Sequence, residues 1–167
     1  MLELIGMIDL ERYGGEWLEM ARKPFYFQNK CIASKALYND IEYKDGKPYK
    51  IKVRNSCVTK QGKINVSDGK AKIVGADNRS LSVSFSFFTD WMRKPNYEVL
   101  YLDKDYSQAV IGTLNKKYLW ILSRKVLDRS AIEKLLEKAK AMGYDTTDII
   151  YDDWEMLKQI KPSFLGI

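Results

Sequence analysis

The chain has 167 residues, with 28 Lys or Arg against 22 Asp or Glu, a formal charge of +6 and no histidine. That length builds one domain with a sizeable core. The missing histidine excludes Ser-His-Asp and Cys-His nucleophiles, a histidine general base and histidine metal ligation. Two cysteines are too few for a four-ligand structural zinc centre, so no cofactor or metal is expected, while 11 Tyr, 6 Phe and 4 Trp favour a binder over a catalyst.

Taken in chain order, the opening Met1–Asp9 is apolar but short. It carries Glu3, lacks a basic leading region and a cleavage site, and has no lipid-attachment cysteine nearby, so it does not read as a secretory signal. Two compartments stay open: the cytoplasm, or the periplasm, outer membrane or exterior if a signal has been removed upstream. No apolar run approaches the roughly 18 residues of a membrane-spanning helix.

From Glu16 the pattern has period two, broken by turns. Strands are expected at 16–22, 31–39, 50–60, 63–74, 81–87, 97–102, 108–113 and 118–124, with Gly69 as a bulge or bend in the fourth. Eight consecutive strands joined by short loops must hide their edges, and an up-and-down antiparallel barrel does so by closing on itself. Ser130 and Glu133 then read as a capping box. Ile132, Leu135, Leu136, Ala139 and Met142 form one helical stripe, and Gly143 follows as the C-terminal cap. Packing outside the barrel is the simple solution for this helix. Residues 148–151 read as a last short strand. The tail from 152, with Trp154, Met156, Leu157, Phe164 and Leu165, either folds back or serves as an interaction tail.

Positive charge concentrates in residues 21–72, which carry a net +9. It suits anionic lipid head groups, phosphates or carboxylates. The plainer explanation is the solvated outer face of half-buried strands, since Lys50, Lys52 and Arg54 alternate with Ile51 and Val53.

Three stretches carry a family resemblance: Gly15-Glu16-Trp17, Leu102-Asp103-Lys104-Asp105-Tyr106, and Tyr118-Leu119-Trp120-Ile121-Leu122-Ser123-Arg124. In order and spacing they resemble the three lipocalin motifs, and the wording is most similar to the bacterial lipocalin and apolipoprotein D branch. The resemblance covers about residues 9–151. It departs at Leu18, where this branch usually has Tyr, and at the second hairpin turn around 43–49, which reads as longer than usual. It implies an all-β fold: an eight-stranded up-and-down lipocalin barrel with one C-terminal α-helix packed outside. Residues 1–151 would form a single domain and 152–167 a tail. Gly15, Trp17 and Arg124 would close one end, the guanidinium lying across the indole for about 0.5–2 kcal/mol.

The resemblance further implies that a small hydrophobic ligand, a long-chain fatty acid or lysophospholipid, is bound in the calyx. Tyr38 and Trp120 correspond to pocket-wall positions. By pattern, Phe85 and Phe87 share a strand face, while Phe25, Phe27, Phe88 and Trp91 are rim candidates; a solid aromatic core is the alternative. Lys23 and Lys30 are candidates for an acidic head group. Peripheral membrane contact is compatible with the charge. A nucleic-acid-binding module with base-stacking aromatics and an enzyme built on the same barrel are the weaker alternatives. Cys31 and Cys57, mirrored about a turn near 44, would face each other as a cross-strand disulfide; buried free thiols or one reactive thiol are the alternatives.

Overall fold

The computed structural model describes residues 6–75, 77–85 and 97–166. Asp9 caps a one-turn helix, α1 (Leu10–Tyr13), by accepting from the Glu11 and Arg12 amides, and Leu10 and Tyr13 are buried. Eight strands follow: β1 (Gly15–Arg22), β2 (Cys31–Lys44), β3 (Lys47–Thr59), β4 (Ile64–Val74), β5 (Ser80–Phe85), β6 (Tyr97–Leu102), β7 (Gln108–Gly112) and β8 (Leu119–Ser123). Each pairs antiparallel with the next, and β1 pairs with both β2 and β8. The sheet therefore closes, as the period-two pattern requires. In β5 the pattern is plainest: Leu81, Val83 and Phe85 are buried, and the intervening serines are half-buried.

Two cores result. The inner one fills the barrel with residues such as Trp17, Ile51, Leu81, Val99 and Ile111. The outer one lies under α2 (Arg129–Ala141) and a tail made of β9 (Ile150–Tyr151), α3 (Trp154–Ile160) and a 3-10 turn (Pro162–Leu165). Because β1 lies between both cores, every residue from Trp17 to Arg22 is buried. A bulge between Glu19 and Ala21 turns two carbonyls to the tail. Glu19 O accepts from Trp154 Nε1 at 2.7 Å, and Met20 O accepts from the Asp152 amide at 3.1 Å. β9 pairs with Ala21 and Arg22.

Several details differ from the sequence expectations. The turn between β2 and β3 is not long: both strands continue to a two-residue Asp45-Gly46 turn with positive φ at both positions, the short hairpin geometry that this dipeptide favours. Gly69 makes no bulge, since register runs unbroken through it to both β3 and β5. A Cβ there would lie 2.4 Å from Ser84 O and 2.6 Å from the Phe85 ring, so this glycine makes room for an aromatic neighbour. The N-cap of α2 is Asp128 rather than Ser130; its carboxylate accepts from the Ala131 amide at 2.8 Å. A carboxylate at that position also meets the positive end of the helix dipole. At the other end Gly143 (φ +93) donates to Lys140 O, and the Tyr144 amide donates to Ala139 O, a Schellman closure.

Cys31 and Cys57 form a disulfide. They do not sit directly opposite each other. Cys31 pairs with Thr59 and Cys57 with Ser34, with a register shift after Cys31, and the bridge runs diagonally across 5.6 Å between Cα atoms.

Candidate functional site

The barrel has a sealed end and an open end. At the sealed end the Arg124 guanidinium lies 3.7 Å from the Trp17 ring centroid. Its nitrogens donate to Tyr106 O, Glu16 O, Arg12 O and Tyr13 O at 2.8–3.1 Å. Trp17 Nε1 donates to Tyr13 O at 2.8 Å. Gly15, beside this plug, adopts φ +92, a conformation that favours glycine.

Above the plug lies a cavity with about 1030 Å³ of atom-free space, its open mouth included. Tyr38, Phe85, Trp120, Phe25 and Phe27 line it, as do both disulfide cysteines. Phe87, Phe88 and Trp91 lie outside the described residues. At the mouth Phe25 meets Phe27, Tyr118 and Trp120 at centroid distances of 4.9–5.8 Å, mostly edge to face.

The lumen is lined unevenly. Val83, Phe85, Ile111, Trp120 and Leu122 on β5, β7 and β8 are apolar or aromatic, whereas β1–β4 bring the polar Glu19, Ser34, Asn55, Asn65 and Ser67 beside Ala36, Tyr38 and Val53. Toward the floor, the Tyr97 hydroxyl hydrogen-bonds those of Tyr13 and Tyr38. Burial raises all three phenols, Tyr38 to about 12, so the floor is uncharged.

Behind the polar wall sits a buried ionic cluster. Arg22 donates to Glu19 Oε1 at 3.0 Å and to Gln28 O at 2.8 Å, and lies 3.8 Å from Asp152 Oδ1. Gln28 Nε2 donates to Glu19 Oε2 and to Ser34 Oγ, and its Oε1 accepts from Trp120 Nε1 at 3.0 Å. The Ser34 amide donates to Asp152 Oδ2. Two carboxyls therefore share one guanidinium. Burial, and then the charge of Glu19, push the Asp152 carboxyl well above the usual carboxylate range.

Neither lysine proposed for a head group serves the lumen. Lys23 is buried, and its Nζ donates to Asp145 O and Asp148 Oδ1, both at 2.7 Å. Lys30 is exposed and does not line the cavity. Lys23 is held by the segment that follows α2. Sequence reasoning missed Tyr97, Asn55, Asn65, Ser67 and Gln28. Strand parity could have found three of them: Asn55 shares the inward face of Val53, and Asn65 and Ser67 that of Ala71. Among the described residues no group of three or more His, Cys, Asp or Glu is arranged to hold a metal ion.

A closed antiparallel barrel with an outer helix, plugged by Trp17 and Arg124 and hollow at the other end, defines a protein that takes a ligand into its interior. Residues 8–153 match the Lipocalin-like domain family, and the chain belongs to the lipocalins, on the side of the bacterial lipocalins. It is 35% identical over 155 residues to temperature-induced lipocalin-1 of Arabidopsis thaliana, covering 89% of this chain and 80% of that one. It is 32% identical over 149 residues to the outer membrane lipoprotein Blc of Vibrio cholerae, covering 86% and 81%. Among solved structures, insecticyanin of the tobacco hornworm Manduca sexta superposes with a TM-score of 0.59 at 21% identity, covering 92% of this chain and 84% of that one. Lipocalins are in general binding and transport proteins, and membership makes this chain a binder of a small hydrophobic ligand.

Proposed function

We propose that the protein carries or stores a single-chain lipid, a long-chain fatty acid or a lysophospholipid, held non-covalently with its hydrocarbon chain in the lumen. The observation that carries this reading is the blind cavity, plugged at Trp17 and Arg124, lined on one side by Phe85, Ile111, Trp120 and Leu122, and open beside Phe25 and Phe27. Burying a 16-carbon chain at about 0.8 kcal/mol per methylene yields a gross gain of roughly 11 kcal/mol. Immobilisation costs at least about 4 kcal/mol. The remainder corresponds to roughly micromolar affinity, suited to loading and release.

A role in membrane maintenance or stress response is supported by the relatives' names, one an outer membrane lipoprotein and one temperature-induced. Tyr26 and Phe27, 78% and 45% exposed at the mouth, suit a peripheral contact with a lipid surface. The test is displacement of an environment-sensitive fatty-acid dye by palmitate and by lysophosphatidylcholine. The expected result is saturable, micromolar displacement, weakened about tenfold or more in Trp120→Ala. Absence of saturable binding contradicts the reading.

A further inference from the structure

The uneven lining of the lumen bears on the head group of the ligand, an inference that rests on the lipid-carrier reading. At the open half of β3 and β4, Asn55 pairs with Ser67 and Cys57 with Asn65. All four line the cavity. The side chains of Asn55, Asn65 and Ser67 therefore form a group of neutral donors and acceptors facing one space. Among the described residues these three side chains have no hydrogen-bond partner, and both asparagines are exposed. Neutral amides and hydroxyls at this spacing match a head group with several hydroxyl or carbonyl oxygens.

The charges around the lumen disfavour an anion there. Lys35 lines the cavity, but its Nζ donates to Phe164 O at 2.6 Å and lies 3.4 Å from Glu16, away from the lumen. Glu19 stands in the wall with both oxygens occupied by Arg22 and Gln28, and Asp152 lies behind it. Lys35 is the one basic residue lining the cavity among the described residues, and with its ammonium engaged elsewhere a carboxylate head would lose its water there without a cation to pair with. An uncharged head meets no such cost.

We propose that the polar wall of β3 and β4 is a head-group site for an uncharged, hydroxyl-bearing acyl lipid of the acylglycerol type: the head lies against Asn55, Asn65 and Ser67, and the chain lies along Phe85, Ile111 and Leu122. A free fatty acid fills the apolar wall alone and binds more weakly.

Monopalmitoylglycerol and palmitate carry the same chain, so dye displacement by each at pH 8 isolates the head. The acylglycerol should bind at least about tenfold more tightly, a factor that one or two net hydrogen bonds supply. Asn55→Ala with Asn65→Ala should remove that advantage and leave palmitate within twofold. Because both side chains are exposed and unbonded, the double variant should melt with the wild type. Palmitate binding as tightly as the acylglycerol in the wild type overturns the head-group site, as does a double variant that weakens both ligands alike. If neither ligand displaces the dye, the lipid-carrier reading itself fails, and this inference with it.

Discussion

At the scale of single residues, the most consequential group is Asp152. It belongs to the tail, yet its carboxyl joins Glu19, Arg22 and the Ser34 amide behind the lumen wall. Its Oδ1 and Arg22 Nε are buried without hydrogen-bond partners among the described residues. An acid whose folded pKa is raised contributes stability that is complete below its unfolded pKa, about 3.9, and is lost as pH rises toward the folded value. Asp152→Asn mimics the neutral form and does not ionise. The variant should therefore melt close to the wild type near pH 4 and above it at pH 7–8, by an amount corresponding to about 1–3 kcal/mol. Thermal melts across this range check it. A gap that is constant with pH, or that reverses at neutral pH, contradicts the assignment.

At the scale of elements, closure depends on one side chain. Arg124, just beyond β8, holds the ends of α1 and β1 and the Tyr106 carbonyl through its hydrogen bonds while covering Trp17. Arg124→Ala should lower stability by about 2–4 kcal/mol, from the lost cation–π contact and charge-assisted bonds. Lipid affinity should change less than twofold, because the plug lies below the cavity. Unchanged melting would refute this role.

The strands and the barrel were legible in the sequence because short runs with apolar residues at alternate positions are separated by turn residues, most plainly where Leu81, Val83 and Phe85 stand among serines. Tyr38, Phe85, Trp120, Phe25 and Phe27 were legible as residues that line a cavity. Other parts were not. α1 and α3 have four and seven residues, too short for a helical period to register. The hairpin was misread because β2 continues to Lys44 through two register shifts between Asn39 and Tyr43, where simple alternation fails. Mirroring about residue 44 fails because the turn is centred between Asp45 and Gly46, which sets Cys57 opposite Ser34 rather than Cys31, although the disulfide forms. The burial of Glu19 and Arg22 was not legible, because nothing local announces that Asp152 and Trp154 return to cover them.

At the scale of the molecule, the tail is part of the wall rather than an appendage. Trp154, Leu157 and Phe164 are buried in the outer core with Leu18, Ala33 and Val58, and Trp154 stacks near Phe164 at 6.2 Å. Trp154→Ala should cost about 3–5 kcal/mol. Ile160→Ala, at a side chain 36% exposed, should cost within about 0.5 kcal/mol. Equal denaturation midpoints for the two variants would show that the tail is not part of the cooperative unit.

The whole account turns on one claim, that a hydrocarbon chain occupies the barrel interior. The most direct measurement is isotope-edited NMR of the protein with a ¹³C-labelled palmitoyl lipid, read as through-space contacts between methylenes and side chains. The account predicts contacts to Tyr38, Phe85, Trp120 and Leu122. Contacts confined to the exposed Tyr26, Ile64 and Val66, with none inside the barrel, would contradict it.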